Sequence, residues 1–262
     1  RIFEGIGLGV NAFFGPDGGV DELASAPDAS LSVVFSKWGR FAGDFLEGKY
    51  GVPQLVLASP PTGIGDVRAM ARAVAEAIGF DEEPSCLAEG FLKKEESYFQ
   101  FFLSALDDYY DEIAGTPIAV VGDERTLIGV GGFLKEYLGA AVEEAIVTDL
   151  ADCGESGGPS PLDSIAHSVH RSQDGREIRE ILKRSSARMI LGSSLEADAA
   201  RRMNVPHLLI SYPAGGVMLN KTYSGIRGAI RLAEDYASKA LEGLDLAERL
   251  ALEIISGARA GD

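Results

Sequence analysis

The sequence predicts an α/β protein with two domains, each built on a parallel sheet. An apolar run, a serine, an amphipathic stretch and a second apolar run occur twice, at 31–65 and at 187–218. In both copies a Val-Pro pair precedes the second run, and another proline follows it at the same distance: Val52-Pro53 with Pro60, and Val205-Pro206 with Pro213. This order is typical of a βαβ unit, whose two strands are parallel. Two such units predict two similar domains facing a cleft, where the carboxyl ends of the strands would hold a ligand.

The composition excludes several classes of protein. A chain of 262 residues with 46% hydrophobic residues can fill two cores. A net charge of −16 argues against nucleic acid or an anionic membrane as a partner, because both attract cationic surfaces. No apolar stretch approaches the roughly 20 residues that span a bilayer, and no signal peptide is visible. The two cysteines, Cys86 and Cys153, lie in different halves, which favours a reducing cytoplasm over a disulfide scaffold.

In the first half, the pattern predicts a domain at 1–86 followed by a connecting helix at 87–115. The chain opens at Arg1, without Met and apparently within a helix, so we expect a fragment of a longer protein whose first strand is missing. Asp66 is the expected N-cap of a helix over 67–78, and Gly79 its stop. The acidic, aromatic stretch from Leu87 to Ala114 contains no proline and is expected to be one long helix. The other expected elements are strands at 10–14, 31–35 and 54–58 and helices at 20–24 and 38–50.

The second domain is predicted over 116–262. Ile118 to Val121 is a continuous apolar run, as a strand buried on both faces requires. The turn Gly122-Asp123 follows it, and 149–162 is a loop rich in Gly, Ser and Pro. Further strands are expected at 145–148, 189–191 and 207–210, and helices at 126–138, 164–170, 177–184, 197–203, 223–241 and 245–256.

The loops that end the two repeated units are the predicted ligand-binding positions. Their residues are Thr62, Gly63 and Gly65 in the first unit, and Gly215 and Gly216 in the second. Glycine lets backbone N–H groups approach a ligand, and a helix that starts there favours anions. Ser36, Ser193 and Ser194 follow the first strands and are expected to hydrogen-bond the same ligand. The alternative is that the glycines only form turns and that the serines cap helices.

Other catalytic and metal-binding patterns are weak. The turn after 118–121 lacks the G-x-G-x-x-G spacing, there is no Walker lysine motif, and no Ser-His-Asp order is visible, so no catalytic residue is assigned. His167 and His170 would share a helix face downstream of Cys153, but an isolated pair is a poor metal signal. Cys86 has no cysteine near it, whereas an iron–sulfur cluster typically needs four thiolates. We therefore predict no metal site in this chain.

Several stretches together resemble one family. FSKWGRFAGDFLEGKYGVP at 35–53 and PTGIG at 61–65 are similar to the middle domain of nitrogenase component 1-type oxidoreductases. IAVVGD at 118–123 resembles the opening of their third domain, and 190–206 and 223–229 resemble its last strand–helix–strand and the start of its C-terminal helix. The resemblance implies two Rossmann-like domains with parallel sheets facing a cleft, joined by a long helix.

The resemblance also implies a function. The family includes molybdenum-iron protein subunits, their assembly scaffolds and dark-operative protochlorophyllide reductases, which work as paired subunits with an ATP-driven iron–sulfur reductase as electron donor. We therefore expect a homologous component 1 subunit and such a reductase as partners, in the cytoplasm. The resemblance implies that the first domain, with most of the family's cluster cysteines, is not among these residues, and 216–222 holds no histidine or cysteine where a catalytic subunit places its cofactor histidine. The expected role is to shape a cavity for a tetrapyrrole or metallocluster, with any iron–sulfur cluster or related metallocofactor belonging to the full-length complex.

Two alternatives stay open at this point. A two-domain parallel α/β layout with a helical connector also fits a bilobal binding module for metal or cobalamin uptake, without catalysis. A sugar-nucleotide enzyme has the same layout, but the sequence carries no nucleotide-binding pattern.

Overall fold

The chain forms two compact units in the computed structural model. The structure describes residues 2–15, 19–79, 86–149, 160–215 and 221–259, with the side chains of 86–87 and 248–259 left aside. The first unit comprises Arg1–Phe102 and Ser224–Ala229, and the second comprises Leu103–Tyr223 and Ile230–Asp262.

The first unit contains a two-stranded parallel sheet and the helices around it. Its elements are α1 (Ile2–Gly5), α2 (Val20–Ser25), β1 (Ser32–Val34), α3 (Lys37–Tyr50), β2 (Gln54–Val56), α4 (Ile64–Ala77) and α5 (Cys86–Ser104), with a 3-10 turn at Ala26–Asp28. Ser32 is opposite Gln54, and Val34 is opposite Val56. Val52 is buried just before β2, and Leu46 of α3 packs in the same cluster.

The second unit is built on a five-stranded sheet in which all the strands are parallel. Its elements are a 3-10 turn (Asp107–Tyr109), α6 (Tyr110–Ile113), β3 (Pro117–Gly122), α7 (Glu124–Leu138), β4 (Ala141–Val147), α8 (Leu162–Ile165), β5 (Ser168–Arg171), α9 (Gly175–Arg184), β6 (Met189–Gly192), α10 (Ala197–Met203), β7 (His207–Leu209) and α11 (Gly225–Arg259). The strand order is β5-β4-β3-β6-β7, so the direction of winding reverses between β3 and β6.

The apolar strands explain why this sheet lies inside the unit. Ile118 to Val121 are at most 1% exposed, and every residue of β6 is buried. Helices must cover both faces of such a sheet, and α9 and α10 contribute Ile178, Leu182, Ala199 and Ala200 to one core cluster with the strands.

The predicted fold class and both repeated units are confirmed. β1–α3–β2 and β6–α10–β7 each run strand, helix, strand, and each strand pair is parallel. Val52-Pro53 and Val205-Pro206 lie directly before the second strands, as the repeat predicts.

The prediction of one helix from Leu87 to Ala114 is wrong. Helix α5 ends at Ser104, and the 3-10 turn and the short α6 follow. A helix continuing to Ala114 would place Asp111 and Glu112 in its last turn, where the helix dipole disfavours negative charges. They lie instead in the first turn of α6.

Two further predicted elements do not form. No strand forms at 10–14; Val10, Phe13 and Phe14 are at least half exposed, and no described strand pairs with them. The helix expected over 164–170 is wrong, because α8 ends at Ile165 and β5 then pairs with β4, the His167 amide donating to the Val142 carbonyl at 2.8 Å. Pairing at the sheet edge outweighed the helical pattern.

Two helix boundaries also differ from the prediction. The expected helices 223–241 and 245–256 are one helix of 35 residues, α11. Gly243, between the two predicted helices, lies where a Cβ would be 3.1 Å from the Pro206 ring, so its small size serves packing. Asp66 is not the N-cap of α4, because the helix starts at Ile64 and Gly63 holds the cap position.

Candidate functional site

The loop after β2 contains three predicted ligand-binding residues, and one of them, Thr62, is hydrogen-bonded to the loop itself and to the start of α4. Thr62 is 5% exposed, and its amide donates to Asp66 Oδ2 at 2.9 Å. The Thr62 hydroxyl donates to the Pro60 carbonyl at 3.2 Å. The buried Gly63 has φ 91° and ψ 178°, a region open almost only to glycine.

The start of α11 is bonded to this loop. The Gly225 amide donates to the Pro61 carbonyl at 2.6 Å, and the Gly63 amide donates to the Gly225 carbonyl at 3.3 Å. The amides of Thr62 and Gly63 therefore have internal acceptors. Gly65, in the first turn of α4, is exposed and is the position in this loop most open to a ligand.

Ser36 caps a helix. It is the N-cap of α3, and its exposed hydroxyl accepts a hydrogen bond from the Gly39 amide at 3.1 Å. This is the arrangement that the capping alternative expected. The hydroxyl hydrogen stays available to donate to another group.

The loop after β6 is held by two serines. Ser193 is 5% exposed, and both its amide and its hydroxyl donate to Glu196 Oε2, at 2.8 and 2.7 Å. The Ser194 amide and hydroxyl both donate to the Pro213 carbonyl, at 2.8 and 2.7 Å. Gly215 lies beside Ser194, so the structure brings these two predicted residues together. Gly216 lies outside the described residues.

Glu196 and His207 belong to the same neighbourhood. Glu196 is 6% exposed and precedes α10. Burial lowers the pKa of His207, while Glu196 and a hydrogen bond with the Ser193 backbone act in the opposite direction. No described group bonds the buried His207 Nε2. The neutral imidazole is therefore the favoured form.

A second polar cluster lies at the carboxyl ends of β3, β4 and β5. Arg171 donates to both carboxylate oxygens of Glu124, at 2.8 and 3.2 Å, and the Ser160 hydroxyl donates to Glu124 at 2.6 Å. These contacts, led by the Arg171 hydrogen bond, hold the pKa of Glu124 below its ordinary range. Asp149, two residues after the end of β4, accepts from the Glu124 amide at 2.9 Å. The cluster fixes the loops at this end of the sheet.

A third polar group, Lys221, Tyr223 and Asp235, lies within the second unit. The buried Tyr223 hydroxyl donates to Asp235 at 2.8 Å, and the Lys221 ammonium lies 2.6 Å from the same carboxylate. Burial and then the Asp235 hydrogen bond raise the pKa of Tyr223, so this phenol stays protonated.

The described residues offer no metal centre. Among them, no three His, Cys, Asp or Glu side chains are arranged to hold a metal ion. His170 lies on a strand instead of a helix face and bonds Glu144 at 2.8 Å, so the predicted helical pair with His167 does not form. Cys153 and the Cys86 side chain lie outside the described part of the chain.

Sequence reasoning missed the roles that Glu196, Asp66 and Gly225 have in these loops. Ser193 and Glu196 match the S-x-x-E spacing of a capping box, so that signal was available. Asp66 was predicted to be the N-cap of its helix, whereas its carboxylate accepts from the Thr62 amide before the helix. Gly225 carried no local signal, because its bonds to Pro61 and Gly63 join positions more than 160 residues apart.

These features define an α/β protein with parallel sheets, a reversal of winding between β3 and β6, and structured loops at the carboxyl ends of its strands. Residues 1–241 match the sequence model of the nitrogenase component 1 type oxidoreductases. The chain belongs to this family.

Curated relatives are similar to this chain in sequence, and a solved structure shares its fold. The chain is 23% identical over 217 residues to a light-independent protochlorophyllide reductase subunit of Methylobacterium radiotolerans, a match that covers 81% of this chain and 38% of the relative. It is 21% identical over 257 residues to the corresponding protein of Halorhodospira halophila, covering 94% and 45%. The structure of nitrogenase Cp1 at pH 6.5 matches with a TM-score of 0.71 and 18% identity, over 93% of this chain and 56% of that one. The chain thus spans less than half the length of these curated relatives.

No described helix is both long and apolar enough to cross a membrane.

Proposed function

We propose that this chain forms part of a component 1 subunit and shapes a cavity for a tetrapyrrole or metallocluster substrate. Electrons would come from an ATP-dependent iron–sulfur reductase, and a homologous component 1 subunit would complete the complex in the cytoplasm. The match of residues 1–241 to the family carries the proposal. The naming of both curated relatives as protochlorophyllide reductase subunits favours a tetrapyrrole.

The loops at the carboxyl ends of the strands support this role. In parallel α/β sheets, ligands bind outside these ends, where loops and helix starts converge. Gly65 is exposed after β2 of the first unit, and Ser194, after β6, lies beside Gly215, after β7, in the second unit. The shared cleft expected from the repeat, with Ser36, Thr62, Gly63 and Ser193 around it, is part of this proposal.

The described residues do not fit an iron–sulfur cluster. They provide no group of metal ligands, so we derive no electron-transfer step through a cluster in this chain. In the proposal, this chain contributes walls and hydrogen-bonding groups.

The test is a pair of glycine variants in the complex that contains this chain. Gly65→Leu adds a bulky side chain at an exposed helix position beside the proposed site, and Gly90→Leu makes the same change at an exposed position of α5 with open space around it. The complex is supplied with ATP, dithionite, an iron–sulfur reductase and protochlorophyllide, and chlorophyllide formation is followed by absorbance. We expect Gly65→Leu to lose most activity with its melting temperature unchanged, and Gly90→Leu to keep it. Equal activity of both variants, or a wild-type complex that neither binds nor reduces protochlorophyllide, would contradict the proposal.

A further inference from the structure

Helix α3 carries three uncovered aromatic side chains on one face. Trp38, Phe41 and Phe45 are spaced by three and four residues, which places them on the same side of the helix. Their side chains are 68%, 63% and 56% exposed. Gly43 and Leu46 form the buried face that packs on the first unit. We call Trp38, Phe41 and Phe45 the aromatic stripe.

The size of the stripe separates it from ordinary surface residues. An aromatic side chain presents roughly 150–250 Å², so three of them at this exposure leave on the order of 300–400 Å² of contiguous apolar surface. Single exposed apolar residues are common, whereas a patch of this size is comparable to the largest one on a typical soluble protein, which is often functional. Aromatic residues of this kind form the centres of protein interfaces.

Cations accompany the stripe. The Lys37 ammonium lies 4.9 Å from the Trp38 ring centre, and the Lys49 ammonium lies 5.1 Å from the ring centres of both Phe45 and Tyr50. Asp44 and Glu47 accept hydrogen bonds from the Gln54 amide, at 2.7 and 2.8 Å. The surface therefore suits a partner that is both aromatic and acidic.

The same chain carries a segment with that chemistry. Residues 107–112, which we call the acidic segment, contain four exposed carboxylates, Asp107, Asp108, Asp111 and Glu112. Tyr109 and Tyr110 between them are 48% and 43% exposed. None of the four carboxylates forms an ion pair with another residue in the described part of the chain. Their negative charges would repel within a copy and attract the lysines of another.

We propose that the aromatic stripe of one copy binds the acidic segment of a second copy. The inference rests on the paired-subunit part of the proposed function and names the partner and the surfaces. Its test measures mass instead of catalysis, so either proposal can fail alone. Self-association without reductase activity would contradict only the proposed cavity role. A catalytically active complex in which two copies of this chain make no contact would contradict only this inference.

The first experiment compares two exposed apolar positions by sedimentation velocity. Phe41→Glu places a charge in the stripe, and Leu195→Glu makes a matched change at a 68% exposed residue of the second unit. Circular dichroism and thermal melts confirm that both variants fold. We expect wild type and Leu195→Glu to form dimers or larger species, and Phe41→Glu to raise the dissociation constant roughly 30-fold or more, as loss of a central interface residue does.

The second experiment tests the charge pairing. The Lys49→Glu variant, studied alone, places negative charges opposite each other. The double variant Asp108→Lys/Asp111→Lys, studied alone, places positive charges opposite each other. Each variant by itself should therefore be largely monomeric. Mixing the two variants restores opposite charges and should restore association, which salt should weaken.

Three results would overturn the proposal. The first is a wild-type chain that stays monomeric up to about 100 µM, where even a weak interface with a dissociation constant of about 10 µM would be populated. The second is equal association of the Phe41→Glu and Leu195→Glu variants. The third is a mixture of the charge variants that associates no better than either one alone. A different protein that binds the stripe while this chain remains monomeric falls under the first result.

Discussion

Gly63 shows how a single residue limits what the loop after β2 can do. Its φ of 91° and ψ of 178° belong to a region that residues with a side chain rarely enter, and its amide is bonded to the Gly225 carbonyl. Glycine is therefore required at position 63 by the backbone conformation in the first place, and by any ligand only in the second. A variant at this position tests folding, which is why Gly65 is the better probe of ligand binding.

We expect Gly63→Ala to lower the free energy of unfolding by about 1–3 kcal/mol, because alanine must adopt a strained backbone there. Gly65→Ala, two positions on and within the helix, should be neutral or stabilising by up to about 1 kcal/mol. Urea unfolding of the two variants measures the difference. Equal stability of the two variants would show that the backbone of Gly63 is not constrained as described.

His207 makes stability depend on pH. Because burial lowers its pKa in the folded state, the unfolded chain binds the proton more tightly. The stabilisation is complete above the ordinary histidine pKa of about 6.5 and is lost as the pH falls below it toward the lower folded pKa. Urea unfolding at several values between about pH 5 and pH 7.5 should show this slope. His207→Gln should flatten it, and an unchanged slope in that variant would assign the effect to other groups.

At the scale of elements, side-chain caps decide where helices begin. Ser36, Asp123 and Asp174 each occupy an N-cap and accept from an amide in the first turn. Helix α4 starts differently, with Gly63 at the cap and Asp66 reaching back to the Thr62 amide. Aspartate therefore holds the N-cap of α7 and α9 but lies inside α4, and the backbone before each helix decides which arrangement forms.

Asp123→Ala should destabilise the protein by about 1 kcal/mol, since the Thr126 amide, now 3.0 Å from the Asp123 carboxylate, loses its acceptor. Asp123→Ser keeps an acceptor at the cap and should retain most of the stability. Thermal and urea unfolding of both variants measure the cost. Serine and alanine variants of equal stability would mean that the cap contributes little.

At the scale of the whole molecule, the chain is strongly acidic and carries few thiolates. Its net charge is −16 with two cysteines and three histidines. Divalent metals of the iron and zinc type prefer sulfur and imidazole ligands, and carboxylates scattered over a surface do not replace them. Any cluster in the proposed complex would then need ligands outside this chain.

We therefore predict that the purified chain binds less than about one tenth of an equivalent of iron or zinc, given the coordination these metals require. Elemental analysis after purification without added metal measures it, and Cys86→Ser with Cys153→Ser provides the comparison. Stoichiometric metal in wild type that disappears in the double variant would contradict the prediction.

The sequence predicted the fold better than the site. The repeated Val-Pro pattern placed both βαβ units, because apolar runs and proline positions are local signals. The predicted strand at 10–14 and helix at 164–170 failed because their outcome depended on a neighbour. Residues 10–14 found no described strand to pair with, whereas 168–171 found β4.

The candidate site residues divide in the same way. Ser36 accepts its hydrogen bond from an amide three residues away, so the sequence could predict its capping role as an alternative. Ser194 bonds the Pro213 carbonyl 19 positions away, and Gly63 bonds Gly225 across most of the chain. Such contacts are set by folding and leave no local pattern.

The sequence by itself determined the α/β class, the two repeated units and the family resemblance, because these depend on periodicity and on motifs in order along the chain. Only the tertiary structure decided which loop amides are occupied, where α5 stops and that α11 is continuous. Those outcomes depend on distant partners: the Gly225 carbonyl meets the Gly63 amide, and Pro206 packs where Gly243 has no side chain. Local sequence preference indicates which element can form, and packing and hydrogen bonding across the fold determine where that element begins and ends.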